Sequence, residues 1–225
     1  MRDITLNKEY YFTEENIEKI TDDFLNKINR IRHRHKDIVF DMEKSALIII
    51  DMQNYFLSEN STAKVPSAES IIPNINRLIK FFRSNDRPIF FTRHIDASQP
   101  EGKNQMEKWW KASVNKSDPL SEISDKLDYS SNEVIIKNSY DSFKNTTLKE
   151  RVKEKKVEQL VITGVMTHLC CDTTARSAFI EGFSVFMPFD GTATRNLDFH
   201  VSTFVTLSHG FVIPTCTSEL IGKLL

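Results

Sequence analysis

Glycine is scarce in this chain, with only six in 225 residues. Neither GxGxxG nor GxxxxGK followed by Ser or Thr occurs, which excludes the common glycine cradles for nucleotide phosphates. Cysteine is nearly as rare. Cys170, Cys171 and Cys216 are odd in number and lack metal-type spacing, and adjacent cysteines rarely pair. That argues against a disulfide framework and for a reducing compartment. The longest apolar run, Ala46 to Ile50, falls far short of the ~18 residues needed to span a membrane. The opening stretch MRDITLNKEYYFTEEN is too polar for a signal peptide. An excess of one charge is also missing. The 31 acidic and 30 basic side chains leave a net charge of −1, so no basic face for nucleic acid and no acidic tail is expected. We therefore expect a cytoplasmic protein without nucleic-acid or membrane partners.

What is present is ordinary globular material, 40% hydrophobic and 27% charged. Residues 1–43 read as a polar, helical extension, and 44–225 as the main domain. Ile17, Ile20, Phe24, Ile28 and Ile31 recur at helical spacing and predict one amphipathic helix that packs on the main domain. Arg32 to Lys36 is a short basic stretch, read as a solvated helix end, with anion binding as the alternative. From Ser45 the pattern changes. Short apolar runs at 46–51, 88–92, 133–137, 159–165, 183–188 and 211–213 read as buried strands. Helical patterns at 67–83, 147–156, 173–181 and 200–209 separate most of them. This alternation predicts an α/β fold: a three-layer α/β/α sandwich around a mostly parallel sheet.

In open parallel sheets, ligands bind beyond the carboxyl ends of the strands. There the sequence sets Asp51, Lys137, and Gly164-Val165-Met166-Thr167 leading to Cys170 at an expected helix start. A helix N-terminus and an ammonium both favour a thiolate, and a carboxylate can shuttle its proton. Backbone N–H groups beside Cys170 could hold an oxyanion. Taken singly, each residue has a plain reading as well: a cap, a solvated lysine, a small buried hydrophobe.

Three motifs then coincide. ALIIIDMQNYF (Ala46 to Phe56), KNSYDSFKNTTL (Lys137 to Leu148) and GVMTHLCCDTTARSAF (Gly164 to Phe179) occur in order, followed by Asp190-Gly191-Thr192-Ala193. From about Ser45 onward the chain resembles the isochorismatase-like hydrolase superfamily. The resemblance implies a Rossmann-like three-layer fold and a triad of Asp51 as acid/base, Lys137 as charge partner and Cys170 as nucleophile. It also implies a non-proline cis peptide between Val165 and Met166, with the Met166 and Cys170 N–H groups as oxyanion hole. A small-molecule substrate, no cofactor and a homodimer or homotetramer go with it. The chain ends about where such a domain should end, so no fused carrier domain is expected.

Within that superfamily the residues pull two ways. Gly164-Val165-x-x-His168, Trp109-Trp110 and Asp198-Phe199-His200 resemble the isochorismatases proper, which cleave a vinyl ether to pyruvate and a dihydroxybenzoate. Those enzymes have glycine where this chain has Cys170. Cysteine there marks the branch resembling nicotinamidases and carbamoyl amidases, which hydrolyse a C–N bond through a thioester. C–N hydrolysis is the favoured expectation; vinyl-ether cleavage with Asp51 as proton donor is the alternative. Nicotinamidases carry a metal site with Asp-x-His. Arg93-His94-Ile95-Asp96 reverses that order, so no metal is expected, although Asp and His two apart could still ligate a cation. Gln53, Phe56, Trp110, Tyr140, Thr167 and His168 are the candidate substrate contacts. Cys171 reads as packing and Arg176 as structural. The segment from Asp96 to Ser121 is expected to shape the pocket.

Overall fold

The computed structural model describes residues 7–96 and 105–222. In chain order the helices are α1 (Ile17–Lys27), α2 (Asn29–Arg34), α3 (Asn54–Leu57), α4 (Ile72–Ser84), α5 (Gln105–Trp110), α6 (Leu148–Glu154), α7 (Asp172–Ile180), α8 (Leu197–Gly210) and α9 (Thr217–Gly222). The strands are β1 (Ser45–Ile50), β2 (Ile89–His94), β3 (Val134–Lys137), β4 (Gln159–Val165), β5 (Ser184–Pro188), β6 (Thr192–Ala193) and β7 (Val212–Thr215). Every residue of β1 and of β4 is buried, so both faces of the sheet centre are covered by helices. This is the α/β/α sandwich that the uninterrupted apolar runs require. All pairings between these strands are parallel, in the order β3-β2-β1-β4-β5-β7, with β6 beside the end of β4.

The order reverses between β1 and β4. The chain leaves β1 toward β2 and β3 on one side, and returns to pair β4 on the other. That switch opens a crevice at the carboxyl ends of β1 and β4, where ligands of such sheets bind. Gly164 makes the approach possible. Its φ is +105°, and an added Cβ would sit 2.1 Å from the Ile50 carbonyl oxygen.

Some elements differ from the expectation. The N-terminal helix is interrupted at Ile28, so its apolar spacing continues across two helices, α1 and α2. The helix expected over 67–83 begins as a tight turn at Pro66–Ile71 before α4. The last strand runs to Thr215, two residues past the apolar run. β6 was not anticipated, because two residues carry no periodicity. Among the described residues, Tyr11, Phe12, Ile17, Phe24 and Leu25 are buried against the domain. Phe24 stacks on Phe189 at 4.1 Å between centroids. Arg32 of the basic stretch is held by Glu219 at 2.6 Å, so one of its charges is paired within the fold. No helix among the described residues is long and apolar enough to cross a membrane.

Candidate active site

Asp51 follows β1 with a φ of +50°, a left-handed conformation that Asp tolerates better than most side chains. Its N–H donates to the Thr92 hydroxyl oxygen at 3.1 Å, and that hydroxyl donates back to Oδ1 at 2.6 Å. Thr92 lies on β2, so the neighbouring strand fixes the carboxylate. Lys137 ends β3 and reaches across β2. Its Nζ lies 2.7 Å from Asp51 Oδ2, with both side chains fully buried. The ammonium also donates to the Ser139 carbonyl at 2.9 Å and to Cys170 Sγ at 3.5 Å. Two of its three N–H donors thus have hydrogen-bond acceptors, while the Asp51 contact is an ion pair. Asp51, Lys137 and Cys170, from three separate strand ends, are thus brought into one buried cluster.

The electrostatics follow from that packing. Burial alone would push Lys137 down, but Asp51 and then Cys170 hold it raised, so the ammonium persists. Burial pushes the Cys170 thiol up to about 12; Lys137 pulls it down and Asp51 pushes it further up. This corrects the expectation of a ready thiolate. Cys170 does not sit at the mouth of an α-helix. It lies inside a π turn, Thr167–Cys171, that precedes α7. The resting group is a thiol that shares the Lys137 ammonium with the Asp51 carboxylate.

Above this cluster opens a cavity of about 520 Å³. Phe56, Tyr55, Trp110, Tyr140, Met166 and Phe199 give it a largely apolar, aromatic wall. Trp110 Nε1–H donates to the Tyr140 hydroxyl at 2.6 Å, which joins α5 to the loop after β3. His168 faces the cavity and tilts against Phe199 at 4.8 Å, with its Nδ1 engaged by the Thr194 hydroxyl. Burial, then Arg195, lowers His168 to about 4, so it is a neutral imidazole. The Val165–Met166 peptide is cis and leads directly into the π turn.

Phe56, Trp110, Tyr140 and His168 therefore line the cavity. Gln53 and Thr167 do not. Gln53 is wholly buried: its Nε2 donates to the His94 and Ser121 carbonyls at 3.0 and 2.7 Å, and its Oε1 accepts from His94 N–H at 2.8 Å. It clamps the end of β2 to the segment around Ser121. The Thr167 hydroxyl is paired with His200 Nδ1 at 2.9 Å, away from the cavity. Cys171 is fully buried packing, and Arg176 pairs with Asp172 and lies over the Phe211 ring. His94 Nε2 and Asp96 Oδ1 are 3.2 Å apart on the cavity wall, and Asp96 Oδ2 also accepts from Val114 N–H. Among the described residues no third His, Cys, Asp or Glu joins them in a group that could hold a metal. Of the segment expected to shape the pocket, Asp96, Met106, Trp109, Trp110, Ala112 and Val114 do so; 97–104 lie outside the described residues. Lys8, Tyr55, Arg195 and Phe199 line the cavity without having been singled out as contacts. Phe199 lay within a noted motif; nothing in the sequence marks Lys8.

The isochorismatase domain family matches residues 45–219. Nicotinamidase 3 of Arabidopsis thaliana is 37% identical over 172 residues, covering 74% of this chain and 82% of that protein. Enterobactin synthase component B of Escherichia coli (strain K12) is 30% identical over 185 residues, covering 80% of this chain and 64% of that protein. This chain thus spans less than two thirds of that second relative. A cysteine hydrolase from Pseudomonas syringae pv. phaseolicola has the same fold, with a TM-score of 0.78 at 22% identity over 82% of this chain and 94% of that one.

Proposed function

Since this chain belongs to the isochorismatase family of hydrolases, we propose that it hydrolyses a C–N bond of a small amide, imide or carbamoyl compound through a Cys170 thioester. The observation that carries this reading is the contact of one ammonium, Lys137, with both the Asp51 carboxylate and the Cys170 sulfur under an aromatic cavity. The 37% identity to a nicotinamidase supports it.

In this mechanism the thiol is not ionised in advance. As Sγ attacks the substrate carbonyl, its proton passes to Asp51, and Lys137 holds the negative charge that moves between the two. The tetrahedral oxyanion is held by the Met166 and Cys170 N–H groups. Its collapse breaks the C–N bond, and Asp51 returns the proton to the departing nitrogen. Water then attacks the thioester with Asp51 as base, giving the acid and free thiol. Aromatic walls of this kind suit a planar, ring-bearing substrate.

The 30% identity over 186 residues to an isochorismatase of Bacillus subtilis (strain 168) favours a second reading, vinyl-ether cleavage with Asp51 as proton donor and no covalent step. Hydroxylamine separates the two. Under the first reading it intercepts the acyl-enzyme as a hydroxamate, and Cys170→Ala abolishes turnover. Retained turnover of a cleaved amide by Cys170→Ala would refute it. Isochorismate cleaved by Cys170→Ala at the parent rate would establish the second reading.

A further inference from the structure

We propose that the N-terminal arm, residues 7–12, is a wall of the active-site pocket, and that its Lys8 selects substrates carrying an anionic group at the exposed end of the cavity. The inference rests on reading that cavity as the substrate site. The arm lies outside the matched family domain, residues 45–219. Nothing in the family motifs therefore accounts for it.

The arm is tied down on both sides of the pocket. On one side, Glu9 N–H donates to the Arg195 carbonyl at 2.9 Å, and Leu197 N–H donates to the Glu9 carboxylate at 3.1 Å. Thr194 N–H donates to the Tyr11 hydroxyl at 2.8 Å. On the other side, Tyr11 and Phe12 N–H both donate to Ser67 Oγ, at 3.0 and 3.1 Å. The Ser70 hydroxyl donates to the Phe12 carbonyl at 2.8 Å. The arm thus joins Ser67 and Ser70 to 194–197, and these attachments adjoin 62–65 and fall within 194–199, two segments that contribute residues to the cavity.

This bridge fixes Lys8. Its Nζ donates to the Thr62 carbonyl at 2.7 Å, and the side chain lines the cavity. Lys8 is exposed while Cys170 is buried, so Lys8 marks the mouth and the thiol the floor. A carbonyl orients an ammonium without cancelling its charge. The charges that act most on Lys8 are Arg195 and Lys64, both cationic and both on the cavity wall; with burial first, they lower its pKa. Lys64 is matched by Glu59 and Tyr10, and Asp96, deeper in, is engaged by His94 and Val114. Glu9 is the acidic neighbour; Leu197 N–H directs its carboxylate toward the 194–197 side without removing its charge. Among the described residues the cavity wall carries three cationic side chains, Lys8, Lys64 and Arg195, against one carboxylate, Asp96, and the Lys8 ammonium stands at the mouth, where it draws in an entering anion. The ligand chemistry is a carboxylate or similar anion on a ring whose amide or carbamoyl group reaches Cys170.

Both tryptophans of the chain, Trp109 and Trp110, line the cavity, so their fluorescence reports its occupancy. The test titrates the full chain carrying Cys170→Ala with 3-carbamoylbenzoate and with its neutral counterpart, isophthalamide, at low ionic strength. The carboxylate is expected to bind roughly tenfold more tightly, the preference falling with added salt. Lys8→Gln should remove about fivefold of that preference and leave isophthalamide affinity unchanged, and Lys8→Arg should restore it. Equal affinities for the two probes, an unchanged preference in Lys8→Gln, or no saturable response to the carboxylate would overturn the proposal. Because binding is read without turnover, this outcome is separate from the hydroxylamine result that tests the hydrolytic reading.

Discussion

Replacing Asp51 with Asn should make Cys170 more reactive toward a disulfide reagent while destroying catalysis. The carboxylate and the sulfur flank one ammonium, at 2.7 and 3.5 Å. The two charges are therefore at most about 6 Å apart, and at an effective dielectric near 20 their repulsion is worth about 3 kcal/mol, or roughly two pKa units. Removing the carboxylate also removes its hydrogen bond to the thiol, which acts in the same direction. The buried Lys137 ammonium then keeps one candidate anionic partner in the triad, the thiolate. At a pH well below the thiol's own midpoint, thiolate should rise about 100-fold. Its lower basicity costs about eightfold in intrinsic nucleophilicity, so exchange should speed up about tenfold. Turnover should meanwhile fall about 10²- to 10⁴-fold, the usual worth of a positioned acid/base. Stopped-flow exchange with a dipyridyl disulfide, resolved by peptide mass spectrometry, measures the first. Circular dichroism checks that the variant is folded. A folded Asp51→Asn protein whose Cys170 reacts at the parent rate or slower would refute the coupling of these charges.

Other consequences are as concrete. His200 is held neutral by burial, which lowers it to about 3, although its bond to the Phe189 carbonyl opposes the shift. The unfolded chain binds that proton near pH 6.5, so stability is lost as pH falls from there toward 3, by about 2 kcal/mol at pH 5 from this group. Urea titrations at pH 7 and 5 on the parent and His200→Gln should show a smaller loss in the variant; equal losses would contradict the assignment. Gly164→Ala forces a Cβ against Ile50 and a residue into φ +105°, so its unfolding free energy from urea titration should drop by roughly 4 kcal/mol or more, and a change under about 1 kcal/mol would be inconsistent with the close approach. Tyr11→Phe leaves the Thr194 N–H without its acceptor, at a cost of about 1–3 kcal/mol, and hydrogen exchange should rise first across 194–199.

Much of the sheet was legible in the sequence, because strands buried on both faces write themselves as apolar runs. The strand read at 159–165 is β4, residue for residue. The cluster of Asp51, Lys137 and Cys170 was legible for a related reason: strand ends converge on one rim once the sheet is parallel. Side-chain direction was not. Gln53 and Thr167 sit close to Asp51 and Cys170 in sequence, yet both are spent on internal hydrogen bonds. The π turn at Thr167–Cys171 was equally hidden, since its residues read as the first turn of an ordinary helix. Lys8 was invisible because its role depends on where an arm distant in sequence is laid down, which no local pattern encodes.

The central place of β1 has a consequence for how the chain is made. β1 must wait for β4, whose register pairs Ser45 with Gln159 and Ile50 with Gly164. At about 5–20 residues per second on a ribosome, that interval is on the order of ten seconds. Throughout it, Ala-Leu-Ile-Ile-Ile has one edge unpaired and is a ready template for another nascent chain. Asp51, Lys137 and Cys170 can be desolvated together only after β1, β3 and β4 are all seated. The cluster of Asp51, Lys137 and Cys170 is therefore among the last parts of the molecule to form, and a polypeptide released before residue 165 carries a sticky strand and no such cluster.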